Sequence, residues 1–254
     1  MYAMGFFELF QNNRPNEKRI AKQIERLKEP YAKTEYRQSA MDQLFKWGTG
    51  ECFAALLHRF KIVSQSLYWD EREKLWLTDE FVKRSKLTKK VLENFVTSKN
   101  ENEIIYPILA LKRICAESEF VEIIKQALSV RNPEDHRSTI AKLELISTLE
   151  ACESLSSAEL IESIQPYLRD LHDDVKCNVI NIFMTQKIIK DAHLLVIDII
   201  TDDSFSERVL RHAAFQICKF NLRIPNNTLL AINLMKEFRI ESGKLIQRIG
   251  SLNF

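Results

Sequence analysis

Glycine and proline are scarce in this chain of 254 residues, with five of the first and six of the second. An all-β fold needs more of both for its tight turns, and phosphate-cradling loops need more glycine. Neither GxGxxG nor GxxxxGK[ST] occurs, so a dedicated nucleotide loop is not expected. No apolar run approaches the roughly 18 residues of a membrane span, so no span is expected. CxxC is absent too. The five cysteines, Cys52, Cys115, Cys152, Cys177 and Cys218, are odd in number and widely spaced. A disulfide framework does not follow from such a set, and reduced thiols used as small apolar groups in a cytoplasmic protein do. His58, His136, His172, His193 and His212 form no HxxxH, HxH or HExxH, and no cysteine lies within four residues of any of them. No metal or other cofactor is therefore expected. GxSxG and local cysteine signatures are missing as well, and no catalytic residue is assigned.

What is present is helical periodicity. Apolar residues make up 45% of the chain and charged residues 28%, enough for a continuous core beneath a soluble surface. Leu160, Ile161, Ile164, Tyr167, Leu168 and Leu171 fall on one stripe of a helix. Val175, Val179, Ile182 and Phe183 repeat the arrangement, as do Tyr36, Ala40, Met41, Leu44 and Phe45. The pattern predicts helices at 16–29, 35–46, 50–65, 71–84, 88–97, 103–116, 120–129, 137–150, 157–170, 173–186, 190–202, 206–221, 226–238 and 241–250, with no sheet. Asn16, Thr34, Ser157, Ser206 and Asn227 are candidate N-caps. Pro107 and Pro166 fall inside predicted helices; Pro166 should kink its helix, whereas Pro107 fits a first turn. Residues 1–15 read as a short amphipathic opening segment with Phe6, Phe7, Leu9 and Phe10 as its apolar members, and Met4 offers a second start. Residues 16–254 read as one domain.

Taking alternate helices, the second of each pair begins near 35, 71, 103, 137, 173, 206 and 241. A spacing near 34 is that of a helix–turn–helix repeat, whose members bury their stripes by stacking. The expected fold is thus all-α, a superhelix of about seven helix pairs.

Two units carry a family resemblance. Glu159–Asp170 followed by Asp173–Phe183, with Pro166 inside the first helix and Val175-Lys176 opening the second, resembles a HEAT repeat of the bacterial HEAT-like kind. Val209-Leu210-Arg211-His212-Ala213-Ala214 and the first unit around Thr34–Leu44 are similar to the same family. The resemblance implies an α-α solenoid. It also implies an inter-repeat ladder in which Asp170 and Lys176 have the family's spacing, with Arg211 one place late in the next unit.

Such a surface suits an extended peptide or a partner domain, so a non-catalytic protein–protein interaction scaffold is the expected function. Two alternatives stand beside it: a HEAT-like DNA-binding protein or alkylpurine DNA glycosylase, and a lyase-like accessory subunit that attaches a cofactor. Residues 1–100 hold 19 Lys and Arg against 13 Asp and Glu, and residues 101–254 hold 18 against 22. An acidic C-terminal half repels phosphates, so nucleic acid is the weaker expectation. Candidate partner-binding residues are Tyr68 and Trp69, placed at a turn, and the basic group Lys83, Arg84, Lys86, Lys89 and Lys90. Each has a plainer reading: packing between repeats for the aromatic pair, a solvated loop for the cations. Leu75 and Trp76 read as core.

Overall fold

The structure is a computed structural model that describes residues 15–185, 190–225 and 227–248. The expected opening segment 1–15 lies, apart from Pro15, outside the described residues. Among those described, twelve α-helices dominate. They are α1 (Glu17–Lys28), α2 (Thr34–Trp47), α3 (Gly50–Leu56), α4 (Leu67–Lys83), α5 (Ser85–Val96), α6 (Ile105–Ile114), α7 (Glu117–Ser129), α8 (Thr139–Glu150), α9 (Ser157–Ile164), α10 (Asp173–Thr185), α11 (Lys190–Ile199) and α12 (Glu207–Lys219). The fold is mostly helical, and no described helix is long and apolar enough to cross a membrane.

The helix ends follow local chemistry. Asn16, Thr49 and Ser206 accept backbone N–H groups as N-caps, and Ser156 with Glu159 forms a reciprocal capping box. Gly48, at φ 66°, closes α2 in the left-handed conformation that costs glycine least. Pro107 lies in the first turn of α6. Pro166 ends α9 and turns the chain into a 3₁₀ segment, Gln165–Arg169. Asp173 and Asp174 occupy the first turn of α10, where negative charge suits the helix dipole.

The chain divides into two compact units, the first running to Ile123 and the second beginning at Ile124. In the first unit α1 packs on α2 and α3, α3 on α5, and α4 on α5 and α6. In the second, α10 packs on α8, α11 and α12. Contacts therefore join next-but-one helices as well as consecutive ones. Polar links repeat the same interval. Arg37–Glu73, Arg113–Asp79, His172–His136, Arg169–Asp202, Arg208–Asp174 and Gln216–Asn181 each join residues 33 to 36 positions apart, close to the spacing read from the sequence.

Two expectations fail at the C-terminal end. The described residues of these two segments, 227–238 and 241–248, do not form helices: turns lead into a hairpin of β1 (Phe238–Glu241) and β2 (Lys244–Gln247). Ser242 at φ 51° and Gly243 at φ 74° supply the two positive-φ positions of a tight hairpin loop. Four-residue strands are too short to display the alternation that marks a strand in sequence. The helix expected at 71–84 also begins earlier, at Leu67, so Tyr68 and Trp69 stand in its first turn rather than in a loop.

Candidate functional site

Helix α4 carries two opposed faces. Asp70, Glu73, Lys74, Leu77, Thr78 and Phe81 are buried, at the i, i+3, i+4, i+7, i+8 and i+11 positions of one stripe. Half of that stripe is charged. Burying a charge without partners is prohibitive, so the neighbouring elements must supply counter-charges.

They do so through Arg37 of α2 and Arg59 of the 3₁₀ segment Leu57–Lys61. The Arg37 guanidinium donates from Nε and Nη2 to the two carboxylate oxygens of Glu73, at 2.9 and 2.8 Å. Its Nη1 donates to the backbone carbonyls of Glu29 and Ala32. Arg59, fully buried, donates from Nε to Glu73 at 2.8 Å, from Nη2 to Asp70 at 2.7 Å, and from Nη1 to the carbonyl of Ile62. Lys74 pairs with Asp70 at 2.8 Å and lies over the Tyr106 ring, which stacks on Phe60. Asp70 also accepts the Ser64 backbone N–H at 2.8 Å. Five ionic side chains thus clamp α2, the 3₁₀ turn and the N-terminal end of α4. None was singled out in the sequence as part of a buried network.

Burial pushes the carboxyls of Asp70 and Glu73 up, but hydrogen bonds from Lys74 and Arg59 to the first, and from Arg37 and Arg59 to the second, outweigh it and hold both below their usual 3.8 and 4.5. A carboxyl depressed in the native state stabilises the fold above its unfolded value, and the contribution vanishes as pH falls through the native one. The half-buried imidazoles of His58 and His212, lowered from 6.5 chiefly by burial, act with the same sign from a higher pH. The urea midpoint should therefore drift down as pH falls below about 6.5 and drop steeply below about 4.5. A midpoint constant from pH 7 to pH 3 would contradict this arrangement.

The first turn of α4 exposes Leu67, Tyr68 and Trp69, at 72, 62 and 47% of their possible surface; Tyr68 and Trp69 lie off the buried stripe, whereas Leu67, one turn before Asp70, continues its line. The two rings meet edge to face at 5.2 Å. The Arg72 guanidinium lies 5.5 Å from the Tyr68 centroid and 5.3 Å from that of Trp69, and donates to the Tyr68 hydroxyl at 2.9 Å. The preceding loop is tied down by the Gln65 N–H donating to the Pro30 carbonyl. Leu75, expected in the core, is exposed, while Trp76 packs edge-on against Phe45.

The basic group lies where α4 passes into α5, but carboxylates surround it. Lys83 pairs with Glu80 at 2.7 Å, Lys90 with Glu93 at 3.1 Å and Lys89 with Glu119 at 2.6 Å. Arg84 pairs with the same Glu80 and covers the Phe45 ring at 4.5 Å. Lys86 is exposed. These pairs offset most of the local positive charge, and the group does not join the aromatic set.

A cleft of about 530 Å³ lies between α3 and α5. Ala54, Leu57, Val91 and Phe95 form its apolar walls, and His58, Lys61 and Glu101 stand at its polar side. Lys61 pairs with Glu101 at 2.6 Å, which leaves the cleft little net charge.

In the second unit Asp170 is buried against Lys142 of α8, both side chains fully enclosed, and accepts the His172 backbone N–H at 2.9 Å. The ion pairs differ from the ladder spacing that the resemblance implies. Lys176 pairs with Asp173 at 2.8 Å, not with Asp170, because Asp173 stands one helical turn before it. Arg211 pairs with Glu207 at 2.7 Å and with Glu237. Tyr167, buried beside this pair, donates to the carbonyls of Leu128 and Arg131, and burial pushes its hydroxyl up to about 12.

Compared with family models, with curated proteins and with solved structures, the chain finds no significant match in any of the three.

Proposed function

We propose that this chain is a non-catalytic protein-binding scaffold of stacked HEAT-like helix pairs, with Leu67, Tyr68, Trp69 and Arg72 as its docking patch. The stacking is supported by the packing of next-but-one helices within each unit and by the polar links about one repeat apart. The observation that carries the docking role is the pairing of the two faces of α4. Exposed tryptophan, tyrosine and arginine are the side chains that dominate interface energetics. Here they stand on a helical turn whose opposite side is held by the Arg37–Arg59–Asp70–Glu73–Lys74 network. A patch held rigid before contact loses less freedom on binding, which raises affinity.

The test is affinity capture from the native cell with the full chain as bait, followed by quantitative mass spectrometry. Trp69→Ala removes the larger ring from a half-exposed position, so it should leave thermal stability nearly unchanged. A hot-spot tryptophan is worth about 2 kcal/mol or more, so partner recovery should fall by at least about tenfold. A reproducible partner recovered equally by both proteins would overturn the assignment of the patch, and recovery of no reproducible partner would overturn the scaffold reading itself.

A further inference from the structure

Among the described residues the hairpin leaves one strand edge unused. In an antiparallel ladder the directly opposed residues alternate between pairs that exchange N–H···O bonds and pairs that do not. The tight loop at Ser242-Gly243 makes Glu241 and Lys244 a bonded pair, so Arg239 and Ile246 form the next. The Arg248 N–H donating to the Glu237 carbonyl extends the same phase. Ile240 therefore points its own N–H and carbonyl away from β2, toward the outer edge of β1. The outer edge of β2 is covered: Arg223 bridges to Lys244, the Ile224 N–H donates to the Gly243 carbonyl, and the Cys218 thiol donates to that of Leu245. Among the described residues no hydrogen-bond partner meets the Ile240 N–H or carbonyl. A bare edge of this kind is a template for another strand.

The side chains say which strand fits. Phe238 packs inward on Phe215, while Arg239 and Glu241 both face solvent and pair with each other at 2.8 Å. Turn β1 about a two-fold axis through Ile240 and it becomes its own complement. Ile240 then meets Ile240 of the second copy as a bonded pair, with both outward-pointing groups used. Arg239 stands opposite Glu241 of the copy, and Glu241 opposite its Arg239. A register shifted by one residue toward Arg239 would set like charges face to face, at a position whose backbone groups already serve β2.

We propose that β1 pairs with β1 of a second copy of this chain about that axis, giving a four-stranded antiparallel sheet. Two backbone bonds alone are a small interface. The dimer is accordingly weak and concentration-dependent.

Sedimentation velocity on the full chain, from about 1 to about 300 µM, should show reversible dimerisation. Arg239→Glu opposes glutamate to glutamate twice and should weaken the dimer roughly tenfold. Combining Arg239→Glu with Glu241→Arg restores opposite charges in the same register and should bring association back. Ile240→Pro deletes the outward N–H without touching the β2 ladder, and should give a monomer that melts with the wild type. Both charged positions are on the surface, so folding survives their exchange; if Arg239→Glu alone were unstable, the double variant and Ile240→Pro still decide. A wild type that stays monomeric throughout overturns the proposal. So does association indifferent to Arg239→Glu, or a double variant that fails to recover it.

Discussion

Replacing Glu73 with glutamine should cost the first unit about 3–5 kcal/mol, the range for breaking a buried ion pair by removing one partner. Glu73 is the shared acceptor of Arg37 and Arg59, and all three side chains are at most 3% exposed. Glutamine keeps the shape but withdraws the charge and turns an N–H donor toward two guanidinium groups that only donate. Arg59 keeps Asp70, whereas Arg37 keeps only the carbonyls of Glu29 and Ala32. Urea unfolding followed by far-UV circular dichroism reads the loss directly. A change below about 1 kcal/mol, the value of an exposed pair, would mean the network is solvated.

The second large effect belongs to Lys142 and Asp170. Both side chains are fully enclosed, so Asp170→Asn leaves an ammonium with the Asn132 and Pro133 carbonyls, each at 3.4 Å, as its other contacts. A cost of about 3–5 kcal/mol is expected again, now in the second unit. A buried pair also makes a sharper prediction. Removing both charges, as in Lys142→Met with Asp170→Asn, should destabilise less than Asp170→Asn alone, because no charge then stays buried without its partner. The cycle of single and double variants measures this coupling, and additivity would contradict it.

These ions explain why the site was harder to read from sequence than the fold. Twelve helices were legible because apolar residues recur with helical spacing, and Pro166 and Ser206 act where the sequence places them. The start of α4 was missed by one turn. Its inward stripe begins with Asp70, Glu73 and Lys74, which hydrophobic periodicity scores as surface. The signal was nevertheless present: these residues continue, at i, i+3 and i+4, the stripe of Leu77 and Phe81. Their counter-charges, Arg37 and Arg59, lie 36 and 14 residues away, and only folding brings them together. Tyr68 and Trp69, candidates from the sequence, stand exposed in the turn that leads into those buried charges. The hairpin escaped for another reason. In β1 only Phe238 and Ile240 alternate with Arg239 and Glu241, too short a run to distinguish a strand from a helix end.

The buried charges should hold the turn that presents Tyr68, Trp69 and Arg72. Amide hydrogen–deuterium exchange on the wild type and Glu73→Gln measures it without needing a partner. Exchange should be faster in the variant for the amides of residues 64–74, with those of α10 and α12 unchanged. Equal protection of residues 64–74 in the two proteins would show that the turn is held by something other than the ions beneath it.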